Sequence, residues 1–216
     1  MINKNLKKRI YTSFILLLLI ILISKSNAIL VFSLIVLGVL SLLEFIDISN
    51  KTIKNKFYLL ISNLFFVVYI FIFCLMFFYF SNFFQLKVIL FSLLLSCVAS
   101  DIGGFVFGKT FKGPKITKIS PNKTYAGSIG SVIFSMVVFS GSIFFLTNNF
   151  SYLILIIAII TSIACQFGDL FFSFLKRKAK IKDTGNFLPG HGGILDRLDG
   201  IFLGIPIGFI SVTIFY

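Results

Sequence analysis

Residues 57–80 read FYLLISNLFFVVYIFIFCLMFFYF, twenty-four positions without one charged side chain. A helix needs about 20 predominantly apolar residues to cross the hydrocarbon core of a bilayer, so this run alone places the chain in a membrane. Reading outward, further apolar runs cover Ile10–Ser24, Ala28–Ile46, Lys87–Phe107, Tyr125–Leu146, Phe150–Phe172 and Leu198–Tyr216. The composition agrees: 58% of the 216 residues are hydrophobic and only 12% are charged, against about 25% charged in soluble domains. The expected fold is an all-α polytopic bundle of about seven transmembrane helices. It forms a single membrane domain over 1–216, with N-terminal spans in 1–96 and functional spans and loops in 97–216. No segment between spans is long enough to bury a core of its own.

Charge orients the bundle. Alternate segments beginning at the N-terminus hold 18 of the 20 Lys and Arg residues, and the opposite loops hold only Lys25 and Lys87. Basic residues near span ends stay cytoplasmic, which predicts a cytoplasmic N-terminus. The opening residues have the charge order of a signal peptide without a small-residue cleavage site after the apolar run, so a first span is expected. The net charge of +13 is scattered in short clusters between apolar runs. That pattern suits orientation and lipid contact rather than nucleic acid. Cys74, Cys97 and Cys165 lie singly in apolar stretches and read as buried small hydrophobes.

The acids form a second pattern. Glu44, Asp47, Asp101, Asp169, Asp183, Asp196 and Asp199 all fall at the proposed cytoplasmic ends of spans or in cytoplasmic loops. A carboxylate drawn toward the bilayer centre costs about 2.5–3.5 kcal/mol on insertion scales, so such residues mark function. Glu44 and Asp47 read well as solvated caps. Asp101 and Asp169, with apolar sequence on both sides, do not.

Three stretches carry chemistry: SDIGGFVFGK (100–109), KISPNKTYAGS (118–128) and QFGDLFFSFLKRKAKIKDTGNFLPGHGGILDRLDG (166–200). Asp196 and Asp199, spaced i, i+3, share a helix face. With Asp169 from another span they could cradle Mg²⁺, as one or two ions, since hard cations take carboxylate oxygens; a salt-bridge cluster with Arg197 and nearby lysines explains the spacing equally well. The turn at Pro189, Gly190, His191, Gly192 and Gly193 could bring backbone N–H groups to an anion at the start of the following helix, or be only a turn. Ser120, Asn122 and Thr124 are helix-capping residue types with Lys123 among them. The glycines at 104 and 108, and at 200, 204 and 208, read as close helix packing.

The run SFLKRKAKIKDTGNFLPGHGGILDRLD (173–199) resembles the signature of the phosphatidate cytidylyltransferase (CDP-diacylglycerol synthase) family. It does so at Ser173, Lys176, Arg177, Lys182, Asp183, Gly185, Pro189, His191, Gly192, Gly193, Asp196, Arg197 and Asp199. The two earlier stretches are similar as well, so the likeness covers roughly 97–204. It departs at Ala126, where the family commonly carries Glu, and the chain is at the short end for the family. The resemblance implies that CTP and phosphatidate give CDP-diacylglycerol and pyrophosphate with Mg²⁺, at the cytoplasmic face of a bacterial inner membrane. It implies metal ligation by Asp169, Asp196 and Asp199, with Lys176 and Ser173 also catalytic. It implies substrate contacts from Asp101, Ser120, Asn122, Lys123, Thr124, Arg177, Lys182, Asp183, Gly190, His191, Gly192, Gly193 and Arg197. The partners are the two substrates and membrane lipids, with no nucleic acid; a homodimer stays open.

Other readings remain at this point. The lipid could be an archaeal ether-lipid phosphate, or the reaction a CTP-dependent polyprenol kinase moving a γ-phosphate. A cation transporter would also carry intramembrane carboxylates, but no acid here lies at or beyond the midplane. An inactive scaffold fits poorly with an intact aspartate set.

Overall fold

The computed structural model describes residue 15 and residues 18–117, 120–121, 123–148, 150–185, 187 and 192–215. Among these, six helices are long and apolar enough to cross a membrane: α1 (Asn27–Thr52), α2 (Lys56–Ser81), α3 (Phe84–Phe111), α4 (Tyr125–Thr147), α5 (Tyr152–Lys178) and α6 (Leu195–Phe215). The chain is therefore an all-helical polytopic membrane protein. Residues 18–25 are helical too; the rest of the first expected span lies outside the described residues. The apolar runs locate the other six, but helices outlast them. α5 continues through Lys176, Arg177 and Lys178, which the sequence reading placed in a loop, and α6 starts at Leu195 rather than Leu198. Backbone hydrogen bonding carries a helix beyond the hydrocarbon wherever the next residues tolerate it.

The chain divides into two compact units, Met1–Asn82 with Leu175–Leu198, and Phe83–Phe174 with Asp199–Tyr216. In the first, α1 and α2 pack through Leu30, Phe45, Ile48, Phe66, Ile70 and Phe73, all buried. Phe45 stacks on Phe66 with ring centroids 3.8 Å apart. Ser49 donates to Asn63 at 2.6 Å, tying the same two helices by a polar bond.

In the second unit, α3 and α4 meet almost backbone to backbone. A Cβ on Gly130 would stand 2.8 Å from the Gly103 carbonyl oxygen, and one on Gly127 would stand 2.8 Å from that of Gly104. Small residues permit this approach, which is how apolar helices gain dispersion contact where lipid removes the hydrophobic drive. Hydroxyls add the polar glue: Ser96 pairs with Ser135 at 2.6 Å and Ser100 with Ser162 at 2.8 Å. The α6 glycines pack as expected, Gly200 and Gly204 against Cys165 and Gly208 against Leu93 and Thr161. Cys97 and Cys165 are free and buried, and Cys74 is free and half-buried.

Candidate active site

The second unit holds a polar cleft. Between α3 and α4 the chain turns back on itself: Lys112 and Gly113 adopt positive φ of 51° and 104°, and Lys115 bridges Thr124. Ile116 N–H donates to the Lys123 carbonyl at 3.0 Å, and Lys123 N–H donates to that of Ser120 at 3.1 Å. Thr124 caps α4, its hydroxyl accepting from Gly127 N–H at 3.1 Å. This turn delivers Lys123 to α5, where its ammonium lies 2.5 Å from Asp169. Ser173, one turn on, donates to the other Asp169 oxygen at 3.3 Å.

Around this pair lies a cleft of about 260 Å³, lined by Asp101, Ser120, Lys123, Thr124, Gln166 and Asp169 among others. These residues come from all three chemistry-bearing stretches. Gln166 is held by Ser128, whose hydroxyl donates to its side-chain oxygen. Sequence reading passed over Gln166 and Ser128, although Gln166, like Asp169, interrupts an apolar run. Behind Asp169, α5 and α6 touch: a Cβ on Gly168 would run into the Asp199 carbonyl oxygen. Asp199 itself is buried and accepts from Gly200 N–H at 2.9 Å.

The first unit holds a second polar cluster. Lys176, in the last turn of α5, meets Asp196, in the first turn of α6, at 2.6 Å, with both side chains about nine-tenths buried. The other Asp196 oxygen accepts from Thr184 N–H at 2.8 Å and Gly193 N–H at 3.1 Å, and Thr184 Oγ1 lies 3.1 Å away. A buried carboxylate is tolerated only when so partnered. Gly192 turns the chain at φ +84°, and a Cβ there would stand 3.0 Å from the Asp196 oxygen, with Asp183 on its other side. Gly193 N–H thus meets an anion, and that anion is the protein's own Asp196.

Glu44 was read as a solvated cap, and that reading is corrected. It is 2% exposed and accepts from Thr184 Oγ1 at 2.6 Å, Ile194 N–H at 2.9 Å and Leu195 N–H at 2.8 Å. Asp47 is exposed, as a cap should be. Arg177, Lys182, Asp183 and Arg197 are exposed, and Arg177 donates to the Ile181 carbonyl at 3.4 Å. Asn122, Gly190 and His191 lie outside the described residues.

Carboxylate oxygens suit a hard divalent cation. Among the described residues, no three His, Cys, Asp or Glu side chains gather closely enough to hold a metal ion. Asp169 and Asp199 stand on helices whose backbones touch. Asp196 is already filled by protein donors.

A family model described as the cytidylyltransferase family matches residues 7–215. The chain is 44% identical over 120 residues to a phosphatidate cytidylyltransferase of Helicobacter pylori, covering 52% of this chain and 42% of that one. It is 36% identical over 125 residues to one of Mycobacterium leprae, covering 57% and 40%. It is 41% identical over 134 residues to one of Staphylococcus haemolyticus, covering 61% and 51%. The matched stretch thus spans about two-fifths to one half of these curated relatives.

Proposed function

The chain belongs to the cytidylyltransferase family, and from that premise we propose that it is a phosphatidate cytidylyltransferase working at the cytoplasmic face of a bacterial inner membrane, alone or as a homodimer. One observation carries the reading: three stretches far apart in sequence supply Asp101, then Ser120, Lys123 and Thr124, then Gln166 and Asp169, to one polar cleft in an otherwise apolar unit.

In the proposed reaction a phosphate oxygen of phosphatidate attacks the α-phosphorus of CTP. The bond from that phosphorus to the bridging oxygen breaks, and pyrophosphate leaves with the electron pair. Such transfers need positioning and charge neutralisation more than covalent help. Lys123 and Lys176 would each supply positive charge, and each is a cation already held at a carboxylate. Arg177, Lys182 and Arg197, exposed nearby in sequence, would meet phosphate charge arriving from water. Ser120, Thr124 and Ser173, with Asn122 and the 190–193 turn, would donate hydrogen bonds. Asp169 and Asp199 would hold Mg²⁺. Bound Mg²⁺ supplies charge neutralisation on the phosphate oxygens.

The test gives purified protein phosphatidate, Mg²⁺ and CTP labelled at the α- or the γ-phosphate. α-Label is expected in the lipid and γ-label in pyrophosphate. γ-Label in lipid would make the chain a kinase and end the proposal.

A further inference from the structure

Glu44 has no part in the reaction just proposed, yet its carboxylate is the most deeply buried acid among the described residues. It sits in the C-terminal half of α1 and reaches across 140 to 151 positions of sequence to Thr184, Ile194 and Leu195. One of its oxygens accepts from Ile194 N–H, and the other from Leu195 N–H and the Thr184 hydroxyl. The first N–H groups of a helix have no partner within it, so Glu44 serves as the N-cap of α6 from outside the local sequence. Its negative charge also lies at the positive end of that helix.

The same contacts reach the ion pair. Thr184 Oγ1 stands 2.6 Å from Glu44 and 3.1 Å from Asp196, while Thr184 N–H donates to Asp196 at 2.8 Å. A hydroxyl has one proton to give. The shorter distance assigns it to Glu44, which pins the Thr184 side chain while the backbone N–H of the same residue meets Asp196. Two glycines of the 166–200 stretch lie against this carboxylate. A Cβ on Gly185 would fall 2.6 Å from a Glu44 oxygen. One on Gly193 would run into the other and into Thr184 Oγ1. Their missing side chains make room for Glu44.

We infer that Glu44 is a positioning residue: it anchors Thr184, Ile194 and Leu195 at the start of α6, and through Thr184 sets the Asp196 carboxylate and its Lys176 partner in place. Its bearing on turnover rests on the cytidylyltransferase reading, while its bearing on local structure does not.

The isosteric variant Glu44→Gln tests this sharply. Whichever way the amide is turned, its NH₂ faces a backbone N–H, of Ile194 in one orientation and Leu195 in the other. Full-length protein in detergent is assayed well below its melting temperature, so that turnover is counted per folded molecule. Glu44→Gln should lower kcat at least tenfold with the KM for phosphatidate within about twofold, and should speed amide exchange at 193–195 at least tenfold. A purely structural Glu44 would leave turnover per folded molecule unchanged, and that result overturns the inference, as does unchanged exchange. If Glu44→Gln does not fold, Thr184→Val removes only the bridging hydroxyl. It should lose several-fold in kcat, with Thr184→Ser recovering most of the loss; a fully active Thr184→Val overturns the inference. Exchange needs no substrate. An unmodified chain that makes no CDP-lipid would therefore refute the transferase reading, and exchange alone would decide the anchoring.

Discussion

Replacing Asp196 by Asn should cost more stability than removing its partner, and the asymmetry can be worked from the contacts. Lys176 and Asp196 lie 2.6 Å apart with 11% and 9% of their side chains exposed. An exposed ion pair is worth about 0–1 kcal/mol, but breaking a buried one costs about 3–5 kcal/mol because a charge is stranded. In Asp196→Asn the amide oxygen can keep the N–H groups of Thr184 and Gly193, leaving an NH₂ against the Lys176 ammonium. The expected loss is about 3 kcal/mol, which is about 6–12 °C in melting temperature for a chain of this size. Lys176→Met strands a carboxylate that still has two backbone donors, so its cost should be about 1–2 kcal/mol. In the double variant neither charge remains, and its loss should fall short of the sum of the single losses by at least 1.5 kcal/mol. The assay is built into the chain: Cys97 and Cys165 are free and buried, so a thiol-reactive fluorogenic dye reports unfolding in detergent. A coupling below about 0.5 kcal/mol would mean the pair behaves as a surface bridge, and the argument from burial would be wrong.

Three more predictions follow from other contacts. Gly193→Ala must push against Thr184 and Glu44 and should cost about 1–3 kcal/mol by overpacking. Gly141→Ala, in open space on α4, should be neutral or stabilising by up to about 1 kcal/mol; equal melting temperatures for the two would refute the close approach. Asp199→Asn should abolish turnover with membrane insertion intact, measured by membrane fractionation beside the lipid-labelling assay, and near-normal activity would remove its metal role. Chelating divalent cations should stop α-label incorporation and added Mg²⁺ should restore it, whereas steady incorporation under chelation would end the metal proposal.

Span placement was legible because a bilayer imposes a length on apolar runs, and α2 and α4 agree with their runs to within a residue at either end. The boundaries that moved are those beside charge. Lys176 to Lys178 belong to α5, and Asp196 opens α6, because the ion pair between them rewards helix on both sides. Asp169 announced itself as a carboxylate inside an apolar run, and its partner Lys123 stood in a stretch already marked. Glu44 gave no such signal, since an acid near a span end looks the same whether water or Thr184 receives it. Gln166 carries no charge and was lost among its neighbours.

By itself the sequence determined that the chain crosses a membrane as helices, roughly where each begins, and which three stretches hold its polar chemistry. Those facts follow from local hydropathy and spacing, which the bilayer reads one segment at a time. Only the tertiary structure decided which charge meets which: Lys123 with Asp169, Lys176 with Asp196, and Glu44 with the start of α6. Pairing depends on which groups are brought within about 3 Å of each other, and partners from 20 to 151 positions apart leave no trace in the order of residues between them.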